Sequence, residues 1–170
     1  MTKNNKKKLV QILIFGLVFI LISVIISLNE ASAGEERNMG GWGIDDPYNR
    51  HYDVKEFEKI RAWVKRIKTV TPMPGMSPGV ALDVWEGSEE FEVHIAPVWF
   101  VKPGEIGVKA GDRIKIKGVW AEVSGKDIFM ASKIKKGDYW EFKVRLTKNG
   151  KPFWAMAPEE LSRERSPQQQ

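Results

Sequence analysis

Arg113-Ile114-Lys115-Ile116-Lys117-Gly118-Val119 alternates cations with aliphatic residues at a period of two. An extended strand sends successive side chains to opposite faces, whereas a helix would scatter these isoleucines around its girth. The run therefore predicts a half-buried strand, with Ile114 and Ile116 inward and Lys115 in water. The same period recurs on both sides of it. Upstream, Ile60, Ala62 and Val64 alternate with Lys59, Arg61, Trp63 and Lys65. Pro72, Pro74, Gly75, Pro78 and Gly79 then force a loop. Val80, Leu82 and Val84 follow, Glu86-Gly87-Ser88-Glu89 signals a hairpin, and Phe91, Val93 and Ile95 return with Glu92 and His94 on the opposite face. Pro97 ends that strand, and Val98 to Val108 reads as a crossover. Downstream, Ser124-Gly125-Lys126 is a turn and Ile128 to Ile134 a strand. Trp140, Phe142, Val144 and Leu146 then alternate with Glu141, Lys143 and Arg145, and Asn149-Gly150 signals a last hairpin into Pro152-Phe153-Trp154.

Five to seven short strands in about 100 residues predict an all-β sandwich or small barrel. Closure favours the barrel, because it removes the exposed edges that short strands cannot otherwise protect. The chain's seven tryptophans and eight phenylalanines, six of the latter outside the leader, enlarge a core that so short a domain would otherwise leave marginal. The expected organisation is a basic end plus hydrophobic segment over 1–33, an irregular linker arm over 34–56, the β domain over 57–157 and a polar tail over 158–170. Trp42, Tyr48 and Tyr52 suggest that part of the arm docks on the domain.

The leader sets the compartment. Leu9 to Leu28 is an uncharged, predominantly apolar run of 20 residues, and a helix of that length rises about 30 Å, the thickness of a bilayer core. Lys6-Lys7-Lys8 precede it, which places the N-terminus in the cytoplasm and the β domain beyond the membrane. Ala31-Ser32-Ala33 also fits a signal-peptidase site, so an uncleaved single-pass anchor and cleavage after Ala33 both stay open. The leader holds Lys3, Lys6, Lys7 and Lys8 against Glu30, so most of the chain's net charge of +5 sits there. The exported part is nearly neutral, which argues against nucleic acid as a partner. The absence of cysteine excludes disulfides, thiolate metal sites and thioether-linked haem.

Three groups carry candidate chemistry, and each has a plainer reading. Glu90, Glu92 and His94 form a stripe able to hold iron or another divalent cation weakly; the same stripe reads as a solvated strand face, and no other cofactor is expected. Arg61, Trp63 and Lys65, joined by Lys115 and Lys117, form a basic and aromatic surface fit for a ligand or partner; lysines on outer strand faces also simply protect edges. Asp45 and Asp46, with Glu35 and Glu36, form an acidic arm that reads equally as a soluble linker. Met73 and Met76 suit Cu(I), or pack as ordinary loop hydrophobes. Nucleophile–base pairs, phosphate-binding loops and zinc-protease motifs are absent, so no enzyme is expected.

From Tyr52 through Trp154 the chain resembles small exported bacterial OB-fold proteins. The resemblance rests on Met76-Ser77-Pro78-Gly79-Val80, on Val93-His94-Ile95-Ala96-Pro97-Val98-Trp99-Phe100, on Gly111-Asp112-Arg113-Ile114-Lys115-Ile116-Lys117-Gly118, on Lys135-Lys136-Gly137-Asp138 and on Gly150-Lys151-Pro152-Phe153-Trp154. The leader, Gly41-Trp42-Gly43 and Phe142-Lys143-Val144-Arg145-Leu146-Thr147 are most similar to the MamS type of magnetosome protein. The resemblance implies an OB-like barrel behind a single-pass segment of the magnetosome or inner membrane, lying in the lumen or periplasm. It implies a non-catalytic accessory role in magnetite crystal growth, with other magnetosome proteins or the mineral surface as partners. No catalytic residue carries over. The alternative expectation is a general periplasmic OB-fold module for an envelope ligand: an oligosaccharide, a peptide or a nucleic acid.

Overall fold

The computed structural model describes residues 38–165. The expected membrane segment from Leu9 to Leu28 and the candidate cleavage site at Ala31 and Ala33 lie outside the described residues. Among the described residues no helix is long and apolar enough to cross a membrane.

Six strands form in the expected places: β1 (Phe57–Val70), β2 (Gly79–Glu86), β3 (Glu89–Pro97), β4 (Arg113–Val123), β5 (Lys126–Lys136) and β6 (Trp140–Lys143). Ile114 and Ile116 are 1% and 0% exposed while Lys115 faces water, as the founding alternation requires. The order in the sheet is β3-β2-β1-β4-β5-β6, and β3 also pairs with β5. The first five strands therefore pair in a ring, antiparallel throughout except for the parallel β3–β5 contact. β6 extends the sheet from β5. The register slips by one residue at Lys65 of β1 against β2, at Ile95 of β3 against β2, and at Ser132 of β5 against β4. Such bulges bend and twist a strand, which is what bringing β3 round to β5 demands.

The core fills the ring with Ile60, Ala62, Val64, Leu82, Val84, Val93, Ile116 and Ile134. Two features depart from the simple period. β2 is buried on both faces from Gly79 to Val84: on the outer one Arg66 and Lys68 of β1 reach over Asp83 to pair with it, and the Trp42 ring lies against Gly79. β6 stops at Lys143 instead of running on to Leu146. The amides of Val144 and Arg145 both donate to the Ser132 carbonyl, and the chain turns. Leu146 N–H then bonds the Lys151 carbonyl, and Arg145 bridges to Pro152, so the Asn149-Gly150 turn closes a stub and not a long hairpin.

From residue 38 onward the stretch expected as a linker arm is packed structure. It carries a short helix, α1 (Pro47–Arg50). Trp42 is 0% exposed, meets Tyr48 and Trp154 edge-on at 4.8 and 5.8 Å, and donates its indole N–H to the Ser77 carbonyl. Trp154 in turn donates to the Trp42 carbonyl at 2.7 Å. The segments before and after the ring thus clasp each other. The chain continues into α2 (Pro158–Arg165), tied back by a Lys151–Glu160 ion pair. In the crossover between β3 and β4, Val101 and Ile106 are buried beside a single 3-10 turn at Pro103–Glu105.

Candidate functional site: a basic sheet face

Cross-strand register builds this face. Lys59 lies opposite Lys117, Arg61 opposite Lys115 and Trp63 opposite Arg113. Lys115 is opposite Lys135 and Lys117 opposite Lys133. Lys133 is opposite Lys143, and Lys135 opposite Glu141. Directly opposed residues project to one side of a sheet, so these cations form a grid across β1, β4, β5 and β6. Like charges placed this way cost stability, on the order of 0.2–1 kcal/mol per pair. Burial and the neighbouring Lys133, Lys59 and Lys135 charges lower the Lys117 ammonium below the ordinary lysine value.

Glu141 is the carboxylate that this register brings into the grid. It accepts from Lys133 at 2.8 Å, Lys135 at 2.9 Å and Lys143 at 3.3 Å. Burial pushes its carboxyl up, but those lysines outweigh burial and hold it at about 2. Two shallow grooves of about 460 Å³ each run along the face, one of them also lined by Glu86. At its margin Trp63 is 52% exposed, with the Arg113 guanidinium 5.8 Å from its ring centre.

Of the five residues expected to form a partner surface, Arg61, Trp63, Lys115 and Lys117 come together here. Lys65 does not join them. β1 bulges at this residue, and its ammonium pairs with Glu90 of β3 at 2.7 Å, above the Trp85 ring.

The expected Glu90-Glu92-His94 stripe does not converge. Glu90 is spent on Lys65 and on the Trp85 indole N–H. His94 was expected to face solvent; it is 4% exposed, because Tyr48 of α1 stacks against it. Both its nitrogens are engaged, Nε2 with Glu92 and Nδ1 with the Tyr48 hydroxyl at 3.0 Å. One tautomer satisfies both bonds: Nε2–H donates to Glu92, and Nδ1 accepts from Tyr48. No lone pair is left for a metal. Among the described residues no group of three or more His, Asp or Glu side chains is arranged to hold a metal ion. Glu92 also binds Lys68, and the hydrogen bond from His94, set against burial and aided by Lys68, lowers its carboxyl to about 2. Glu92, His94 and Lys68 line a separate depression of about 530 Å³, between the β1–β2 loop (Thr71 to Pro74, with Met73) and the β4–β5 hairpin at Ser124.

The family model of the MamS/MamX magnetosome proteins matches residues 56–140. The chain belongs to this family. No curated protein and no solved structure matches it. The MamS/MamX match starts one residue before β1 and ends on the first residue of β6. It thus takes in the whole ring of strands, the second depression, and the basic face except for Glu141 and Lys143. It leaves out Trp42, Tyr48 and Trp154, the aromatic clasp. Sequence reasoning had not assigned Glu141 and Lys143 to the site, although their alternation with Trp140 and Phe142 was the available signal. Arg145 was missed altogether. It is buried, held by the Gly150 carbonyl and by the ring faces of Trp154 and Tyr52 at 4.6 and 5.4 Å.

Proposed function

We propose that the protein is a membrane-anchored accessory component of magnetosome formation, whose lumenal β domain influences magnetite crystal growth by binding and not by turnover. Membership of the MamS/MamX family is the observation that carries this reading. The ring of strand pairings supports an OB-like barrel, a fold that commonly serves as a binding module. The carboxylates whose acidity departs furthest from normal, Glu92 and Glu141, are each locked to lysines, an arrangement that holds strands together. The uncharged Leu9–Leu28 segment behind Lys6-Lys7-Lys8 supports a single crossing with the N-terminus cytoplasmic.

The test is made in the magnetite-forming cell that carries the gene. The tagged full chain should purify with magnetosome vesicles, and its β domain should resist protease until the vesicles are opened. A strain lacking the gene should form smaller or misshapen crystals, restored by the wild-type chain. Exclusion from the vesicle fraction, or unaltered crystals in the deleted strain, overturns the reading. One observation favours a second reading, a module for an envelope ligand. The 530 Å³ depression lies between the β1–β2 loop and the β4–β5 hairpin, where OB folds take oligonucleotides and oligosaccharides. Exclusion from vesicles together with saturable oligosaccharide binding would select it.

A further inference from the structure

We infer that the basic face seats the β domain on the anionic headgroup surface of the very bilayer its own N-terminal segment enters. The inference rests on the reading of Leu9–Leu28 as a membrane segment, and adds to it a docked orientation of the domain.

Three observations lead there. First, the grid on β1, β4 and β5 opposes cation to cation, Lys59 to Lys117, Arg61 to Lys115 and Lys115 to Lys135. An isolated sheet gains nothing from this repulsion, and an anionic layer spread over the face relieves it. Second, the face is built mainly of lysine. Lysine is a mobile point charge, suited to a diffuse plane of phosphates, whereas a fixed carboxylate partner is better met by the planar fork of arginine. Trp63 and Trp85 pair across β1–β2 beside the grid, 52% and 48% exposed, and tryptophan favours the headgroup layer of a membrane. Third, the tether is short. Residues 29–37 separate the apolar run from the first described residue, and nine residues reach about 30 Å at full extension. A span of that length behind the proposed membrane segment keeps a headgroup plane within reach of the domain.

The experiment uses the full chain reconstituted into phosphatidylcholine vesicles with and without phosphatidylglycerol. Lysines are acylated in a brief pulse and located by mass spectrometry. Lys59, Lys115 and Lys135 report on the face. Lys126, exposed at the β4–β5 hairpin beside the other depression, is the reference. The face lysines should be protected relative to Lys126 only when phosphatidylglycerol is present. Protection should vanish in about 1 M NaCl, where the screening length falls to ~3 Å. Replacing Lys115→Gln should weaken seating about fivefold; because it removes a like-charge contact, the variant should fold at least as well as the parent. Equal labelling in both lipids overturns the inference. So does protection in phosphatidylcholine alone, which marks contact between copies, and so does protection by polyglutamate but not by phosphatidylglycerol, which marks an acidic polypeptide partner. Flotation with pure phosphatidylcholine vesicles reads the anchor separately. If the chain fails to float, the anchor reading falls, and added phosphatidylglycerol vesicles still test the face.

Discussion

Glu92 shows how one buried neighbour changes the meaning of a residue. On an alternating strand it should stand in water, and its carboxyl should titrate near 4.5. Tyr48 covers His94, His94 donates to Glu92, and Lys68 bonds the other carboxylate oxygen. The folded carboxyl falls to about 2. A depressed acid contributes stability above its unfolded value, and that contribution is lost as pH falls from about 4.5 to about 2. Glu92→Gln should therefore cost about 1 kcal/mol at neutral pH, a modest value because the pair is partly exposed and screened. It should also flatten the decline of the urea midpoint between pH 4.5 and pH 2. A variant that declines as steeply as the parent would show that Glu92 stays uncoupled from folding. The burial of His94 could not be read from Val93-His94-Ile95, because the residue that covers it is 46 positions away. Ile114, Ile116 and Lys115 were legible for the opposite reason: their environment is set by their own strand.

At the scale of the element, β1 to β4 were visible as a period of two, and β5 as the run from Ile128 to Ile134 bounded by turns. The grid of cations was visible only in part. Arg61, Lys115 and Lys117 could be named from their alternation, but which lysine opposes which is a matter of register, and register follows from bulges that leave little mark in sequence. The slip between β4 and β5, where Ser132 is the extra residue of β5, shows why. Gly118 follows the slip at Lys117, and a Cβ there would run into the Met130 carbonyl and the Phe129 ring of β5. Its backbone is not left-handed, so the requirement is for close approach and not for an unusual φ. Gly118→Ala should destabilise by roughly 1–3 kcal/mol through overpacking, seen as a lower midpoint in urea. Gly104 has open space around it and an ordinary φ, so Gly104→Ala should shift stability by no more than about 0.5 kcal/mol. Equal effects at the two sites would mean that β4 and β5 do not meet in this register. The early end of β6 has the same origin: Ser132, the residue bulged out of β5, captures the amides of Val144 and Arg145.

For the whole molecule, the period of two marks out too small a folding unit. It begins at β1, and the MamS/MamX match begins one residue earlier, yet the largest fully buried side chain, Trp42, precedes both. The Trp42 ring lies over Gly79 at the start of β2, where an added Cβ would strike it, and its carbonyl receives both Trp154 and Asn49. Removing one such aromatic costs about 3–5 kcal/mol, against a total stability of about 5–15 kcal/mol for a domain. Removing Trp42 and Tyr48 together also strips the cover from His94 and from the face of Trp154. A fragment of residues 38–165 should then unfold in a single cooperative transition, with sharp near-ultraviolet circular dichroism from its packed tryptophans. A fragment of residues 57–157, the unit that alternation alone delimits, should lose that signal and bind a hydrophobic dye. If the shorter fragment melts cooperatively at the same temperature, the clasp is an ornament on a self-sufficient ring. If it does not, the arm that precedes β1 is itself a wall of the domain.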